Sequence, residues 1–202
     1  MRGLPRLAKG GAAPVSFQTA PRMSDFWVFG YGSLMWRPGF DHREAVPARL
    51  AGAHRSLCLY SWVHRGTRER PGLVLGLDRG GSCRGVAFRV AGGDRDAVMA
   101  YLRERELVTD VYKEVTRPVA LLAKGGKSVA AITYVIDRTH EQYAGRLPPK
   151  QILAMVKASR GKSGTNAEYI IATVRHLRAA GIRDTTLEWL AQSLGGEGEG
   201  RR

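Results

Sequence analysis

Strand-like segments fill most of this chain up to Ile136, and helical ones fill the rest. That order restricts the fold more than any other feature. Phe26-Trp27-Val28-Phe29 is aromatic and β-branched with no polar break, the pattern of a strand. Val46 to Trp62 predicts one or two strands around Gly52. Gly72 to Leu77 and Ser82 to Val90 predict two more, split by a turn at "DRGGS". Asp94 to Leu107 has helical spacing, with Asp94 placed as its N-cap. Val115 to Leu122 and Ser128 to Ile136 predict a hairpin across "KGGK", and Pro118 assigns a sheet edge or a bulge to its first strand. Helices follow at Pro149 to Ser159, Thr165 to Ala180 and Thr186 to Leu194. The second opens on a capping-box pattern, Thr165-Asn166-Ala167-Glu168, and closes at Gly181. Strands that lack βαβ alternation, followed by helices, define an α+β fold. Its sheet is expected to be mixed but mainly antiparallel, curved or closed into a small barrel, with helices packed outside.

The 202 residues suit one domain, expected over residues 26–194. Residues 1–25 hold Arg2, Arg6, Lys9 and Arg22 against Asp25 alone, and have no continuous apolar stretch of the signal-peptide kind. A disordered basic extension, a transit peptide, or a functional start near Met23 are the readings of that segment. The end, "GGEGEGRR" at 195–202, reads as a flexible polar tail. The longest apolar runs, Val119 to Ala123 and Ala130 to Ile136, are far short of the ~20 residues that span a bilayer, so no membrane partner is expected. Cys58 and Cys83 lie outside any CxxC pattern. They argue against a disulfide framework and for a cytoplasmic setting.

A net charge of +14 raises three readings: a solvated basic surface, attraction of small acidic substrates, and nucleic-acid binding. The basic residues are scattered from Arg43 through Arg70 and onward, with no helical stripe and no interleaved aromatics. Nucleic acid is therefore the least favoured partner.

Several motif fragments fail. "FGYGSLM" starts like a dinucleotide fingerprint, but Met35 occupies the third glycine position. Gly161-Lys162-Ser163 ends like a P-loop, yet Val156 stands where the first glycine belongs and a helical pattern precedes it. Ser33 lacks the flanking glycines of a nucleophile elbow. His42, His54, His64, His140 and His176 have neither HxxxH spacing nor acidic companions, so no metal and no cofactor is expected.

Two stretches remain. In "FGYGSLMW", Gly30 and Gly32 let the backbone after the first strand turn or approach a ligand closely, and Ser33 leads into a helical turn. Adjacent N–H groups in such a transition form a concave nest for an anion. In "YLRERE", projection at 100° per residue puts Glu106 with Val98, Met99 and Leu102, and Glu104 on the opposite side. Glu106 then has two readings. It is a boundary residue paired with Arg103 or Arg105, or a carboxylate at the edge of an apolar pocket whose raised pKa suits proton transfer.

"VFGYGSLMW", "VAFRV" at Val86 to Val90, "YLRERE" and "GKSGTNAEYI" at Gly161 to Ile170 occur in that order. Together they resemble the ChaC-type, glutathione-specific γ-glutamylcyclotransferases, over roughly Phe26 to Leu194. Leu107-Val108-Thr109 departs from the family, whose members often carry glycines just after this glutamate. The resemblance implies attack of a γ-glutamyl compound's own α-amine on its γ-carbonyl, with glutathione as substrate and 5-oxoproline and Cys-Gly as products. It implies that Glu106 takes and returns the proton, and that Tyr31, Gly32, Ser33 and Leu34 hold the γ-glutamyl head. Tyr169 would contact substrate by the same resemblance, against the alternative of simple helix packing. Two rival functions stand beside it: a cyclotransferase for other γ-glutamyl amines or amino acids, and a basic, non-catalytic binding module.

Overall fold

A computed structural model describes residues 23–106 and 110–195. The expectations for residues 1–22, for Leu107-Val108-Thr109 and for 196–202 lie outside the described residues.

Five strands close into a barrel: β1 (Phe26–Gly30), β2 (Glu44–Ser61), β3 (Gly72–Val90), β4 (Tyr112–Leu121) and β5 (Lys127–Ile136). Their order around the barrel is β1-β3-β2-β4-β5. Every pairing is antiparallel except β1 with β5, which is parallel and closes the ring through Trp27↔Ala131 and Val28↔Ile132. The mixed, mainly antiparallel barrel expected from the order of elements is therefore present. Helix α1 (Arg95–Glu106) lies on one side of it. Helices α2 (Pro149–Ala158), α3 (Asn166–Ala179) and α4 (Thr185–Gly195) pack together on another.

The period-two rule assigns each face. Trp27 and Phe29 point into the barrel with Val46, Ala48, Leu50 and Ala87, while Phe26 and Val28 face out beneath Val98, Met99 and Leu102 of α1. Pro47 and Arg49, between the inward residues of β2, are exposed. Leu57, Leu73 and Leu75 continue the two long strands into the core shared with α2, α3 and α4.

One sequence expectation is overturned. "DRGGS" does not split two strands, because β3 runs unbroken through it. Gly80 and Gly81, with φ of 96° and 68°, face Gly52, with φ of 81°, and the register moves from Ala51↔Ser82 to Ala53↔Arg79. Two residues of β3 thus oppose one of β2. That is a bulge, which bends the ribbon and keeps the ladder on both sides. Gly and Asp signal chain reversal and bulging alike, so composition could not separate the two.

Pro118 lies one residue before the segment of β4, Val119 to Leu121, that pairs with β2. It occupies the stretch where β4 has a ladder partner only in β5. Asp94 ends a 3-10 turn, Gly92–Asp94, that runs straight into α1. Thr165 Oγ1 accepts from Glu168 N at 3.1 Å and Glu168 Oε2 accepts from Thr165 N at 2.8 Å, the reciprocal capping box. A two-residue ribbon, β6 (Arg160–Gly161) with β7 (Gly164–Thr165), precedes α3 and was not anticipated. Among the described residues, no helix is long and apolar enough to cross a membrane.

Candidate active site

The end of β1, the last turn of α1, the first residue of β4 and one face of α3 converge on a cavity of about 520 Å³. All six residues singled out in the sequence line it: Tyr31, Gly32, Ser33, Leu34, Glu106 and Tyr169.

The loop is built from backbone bonds. A single 3-10 turn, Ser33–Met35, is closed by Met35 N donating to Gly32 O at 2.9 Å and Arg37 N donating to Ser33 O at 2.9 Å. The Leu34 side chain is buried among the residues beneath α1. Arg55, whose side chain is only 5% exposed, donates from Nε to Tyr31 O at 2.7 Å and from Nη2 to Arg84 O at 2.7 Å. A rigid barrel strand therefore fixes where the loop begins.

Arg105 fixes its other side. This guanidinium donates to Ser33 Oγ at 2.8 Å, Arg37 O at 2.6 Å and Tyr101 Oη at 2.8 Å, and its Nε lies 3.2 Å from Glu106 Oε1. Arg103 is taken up elsewhere, in a two-pronged pair with Glu114 at 2.9 and 3.0 Å. Of the two arginines the sequence offered to Glu106, Arg105 is the partner. Glu106 is therefore paired and also lines the cavity.

Burial raises the Glu106 pKa, because a carboxylate loses hydration when it leaves water, and the Arg105 charge pulls it partway back. Glu104 is exposed on the far side of α1, as the projection required. Burial also pushes the phenols of Tyr31, Tyr112 and Tyr169 up, so all three are neutral hydrogen-bonding groups at neutral pH.

Helical spacing sets the opposite wall. Tyr169, Ala172, Thr173 and His176 fall on one face of α3 at intervals of three and four. The His176 ring stacks on Trp36 with centroids 4.4 Å apart and planes within 6°. Thr173 Oγ1 is buried beside the Tyr169 phenol, a polar group held at the cavity wall. The β6–β7 ribbon brings in Ser163, which is tied to the segment after β2. Lys162 N donates to Val63 O at 2.8 Å, Ser163 N to His64 O at 3.0 Å, and Arg65 Nη1 to Ser163 O at 2.6 Å. The Arg65 guanidinium also lies 5.3 Å from the Tyr169 ring centroid. Phenols and a carboxylate thus line the cavity together with the guanidinium side chains of Arg37 and Arg65 and the imidazole of His64.

Sequence reading missed Tyr112, Tyr134, Arg65 and His176. Tyr134 alternates with Ile132 and Ile136 on β5 and so reads as core. Tyr112 stands at a strand start that periodicity placed three residues later. Among the described residues, no group of three or more His, Cys, Asp and Glu side chains is placed to hold a metal ion.

The five-stranded mixed barrel with helices packed outside it is a fold shared with solved γ-glutamylcyclotransferases. The solved glutathione-specific γ-glutamylcyclotransferase of yeast superposes with a TM-score of 0.76, at 22% identity, over 86% of this chain and 96% of its own. The chain belongs to the ChaC-like protein family, whose model matches residues 26–196. It is 33% identical over 174 residues to the glutathione-specific γ-glutamylcyclotransferase of Escherichia coli K12, covering 86% of this chain and 74% of that one. It is 32% identical over 175 residues to the human glutathione-specific γ-glutamylcyclotransferase 1, covering 84% and 78%.

Proposed function

We propose that this protein is a glutathione-specific γ-glutamylcyclotransferase, releasing 5-oxoproline and Cys-Gly. The observation that carries the reading is the position of Glu106, a partly desolvated carboxylate facing the Tyr31–Leu34 loop across one cavity. At about 520 Å³, the cavity falls within the ~300–1,000 Å³ usual for small-molecule sites, room enough for a tripeptide.

In the reaction, the substrate α-amine attacks its own γ-carbonyl carbon. The new C–N bond closes a five-membered ring, and the carbonyl electrons move onto oxygen. The nitrogen arrives as an ammonium. Glu106 takes one proton to free the attacking amine and gives it to the departing nitrogen of cysteine. The second proton, lost as the ring nitrogen becomes the lactam N–H, leaves on the Cys-Gly amine. The carbonyl re-forms as that C–N bond breaks. One carboxylate completes both transfers, and its raised pKa brings it nearer to working pH. The loop backbone at Gly32, Ser33 and Leu34 would hold the γ-glutamyl carboxylate or the developing oxyanion, with Tyr169 beside it. Folding the substrate into a ring-closing conformer is the other contribution, since correct placement of reacting groups lowers the barrier by itself. The same reading takes a small molecule as partner, with neither nucleic acid nor membrane. The buried free thiols of Cys58 and Cys83 suit a cytoplasmic setting.

Purified protein incubated with glutathione, and separately with γ-glutamyl-alanine, tests this directly. 5-Oxoproline from glutathione and little from γ-glutamyl-alanine is the expected result. The reverse preference selects the broader cyclotransferase, and none from either returns the chain to a binding role.

A further inference from the structure

We propose that Tyr112 binds the α-ammonium group of the substrate, as the accepting member of two phenols whose opposite polarity is set by one residue, Leu75. The inference rests on the γ-glutamyl reading above and deepens it.

Tyr112 Oη donates to Leu75 O at 2.8 Å. Leu75 N donates to Tyr169 Oη at 3.2 Å. Leu75 is 5% exposed, and both rings line the cavity that holds Glu106. The N–H and C=O of one strand residue point the same way, so Leu75 presents both toward the cavity side of β3. The two phenols complete the ladder there in place of a strand.

A phenol carries a single proton. That of Tyr112 is committed to Leu75 O, so toward the cavity its oxygen can only accept. The Tyr169 oxygen is already accepting from Leu75 N, so its own proton is what it offers to a ligand, with the Thr173 hydroxyl as its neighbour. The γ-glutamyl head carries the matching pair: an ammonium that only donates and a carboxylate that only accepts. The Tyr31 phenol hydrogen-bonds Tyr112 on that accepting side, where an incoming ammonium would join or replace it, and Glu106, Tyr169 and Cys58 are the other titratable groups around it. An ammonium seated between the Tyr112 oxygen and the Glu106 carboxylate is held beside the group that deprotonates it. The other head group then falls to Tyr169 and the loop. Reversed binding would set the carboxylate against Glu106 and against an oxygen with no proton to offer.

Glutathione and glutaryl-Cys-Gly, which lacks only the α-amine and cannot cyclise, separate this role from edge closure. Tyr112→Phe should lower kcat/KM for glutathione by about 10- to 100-fold, the worth of a hydrogen bond to a charged group. The inhibition constant of glutaryl-Cys-Gly should move less than about threefold. Tyr169→Phe should weaken both ligands together, because both keep the carboxylate. A variant with 3-fluorotyrosine at position 112 keeps the bond to Leu75 but weakens the oxygen as an acceptor. It should shift glutathione alone, by a few fold, even where the phenylalanine variant folds poorly. Equal weakening of both ligands in the position-112 variants, or no change in either, overturns the proposal. Wild-type protein that releases no 5-oxoproline overturns the underlying reading, and needs no variant to reveal it.

Discussion

Arg105 and Ser33, 72 positions apart in the chain, are joined by a 2.8 Å hydrogen bond from Nη2 to Oγ. That bond couples the loop after β1 to the helix end that carries Glu106. Arg105 touches the carboxylate with one edge of its fork and the loop with the other, as only a planar guanidinium can.

Arg105→Lys should therefore be more damaging than a retained charge suggests. One ammonium cannot serve Ser33 Oγ, Arg37 O, Tyr101 Oη and Glu106 together. We expect kcat/KM to fall at least about tenfold, with a small change in melting temperature, since losing one or two such bonds costs on the order of 1–3 kcal/mol. Steady-state kinetics beside a thermal melt gives the answer, and unchanged kinetics removes Arg105 from loop positioning.

The two glutamates of "RERE" should separate cleanly. Glu106→Gln keeps shape and hydrogen bonding but loses the proton acceptor, so turnover should drop on the order of 10²- to 10⁴-fold while the protein stays folded. Glu104→Gln lies on the exposed side of α1 and should change turnover less than about threefold. 5-Oxoproline release reports both. A dead Glu104→Gln beside an active Glu106→Gln would invert the assignment.

The direction of the Glu106 shift sets two pH responses. Catalysis needs the carboxylate, so the acidic limb of kcat/KM should lie above the ordinary glutamate value of 4.5. It should move higher still in Arg105→Gln, which removes the cation favouring the charged form. Stability runs the other way. A group that holds its proton more tightly when folded favours the fold below its unfolded pKa, and that contribution is lost as pH rises through the folded value. The melting temperature of wild type minus that of Glu106→Gln should thus decline as pH rises from below 4.5 toward neutrality. A difference that grows over this range contradicts the burial of Glu106.

Gly32 tests the loop. A Cβ built there meets nothing within 4 Å, so there is room for a side chain. That room is lost if the backbone must approach the substrate. Gly32→Val should melt within a few degrees of wild type and lose most glutathione turnover. Equal loss of stability and activity would make this glycine a folding requirement alone.

Much of this protein follows from its sequence, because local chemistry is repeated in many residues at once. Period two in β1 and β2 assigns inward and outward faces, 100° spacing separates Glu106 from Glu104, and Thr165 with Glu168 caps α3 without outside help. The loop and the late "SGTNAEYI" segment carry the family resemblance through residue identity alone. Other features are decided only by the folded chain. The choice between a turn and a bulge at Gly80-Gly81 depends on Gly52 being opposite, and no pattern within β3 contains that. Whether Glu106 pairs with Arg103 or Arg105 depends on Glu114 reaching Arg103 from β4. Tyr112 stands outside the strand that the sequence pattern predicts, and only the folded chain sets its hydroxyl 2.8 Å from the Leu75 carbonyl. Periodicity reports which face of an element is buried, but a hydrogen bond's polarity depends on both partners, and here they come from different strands.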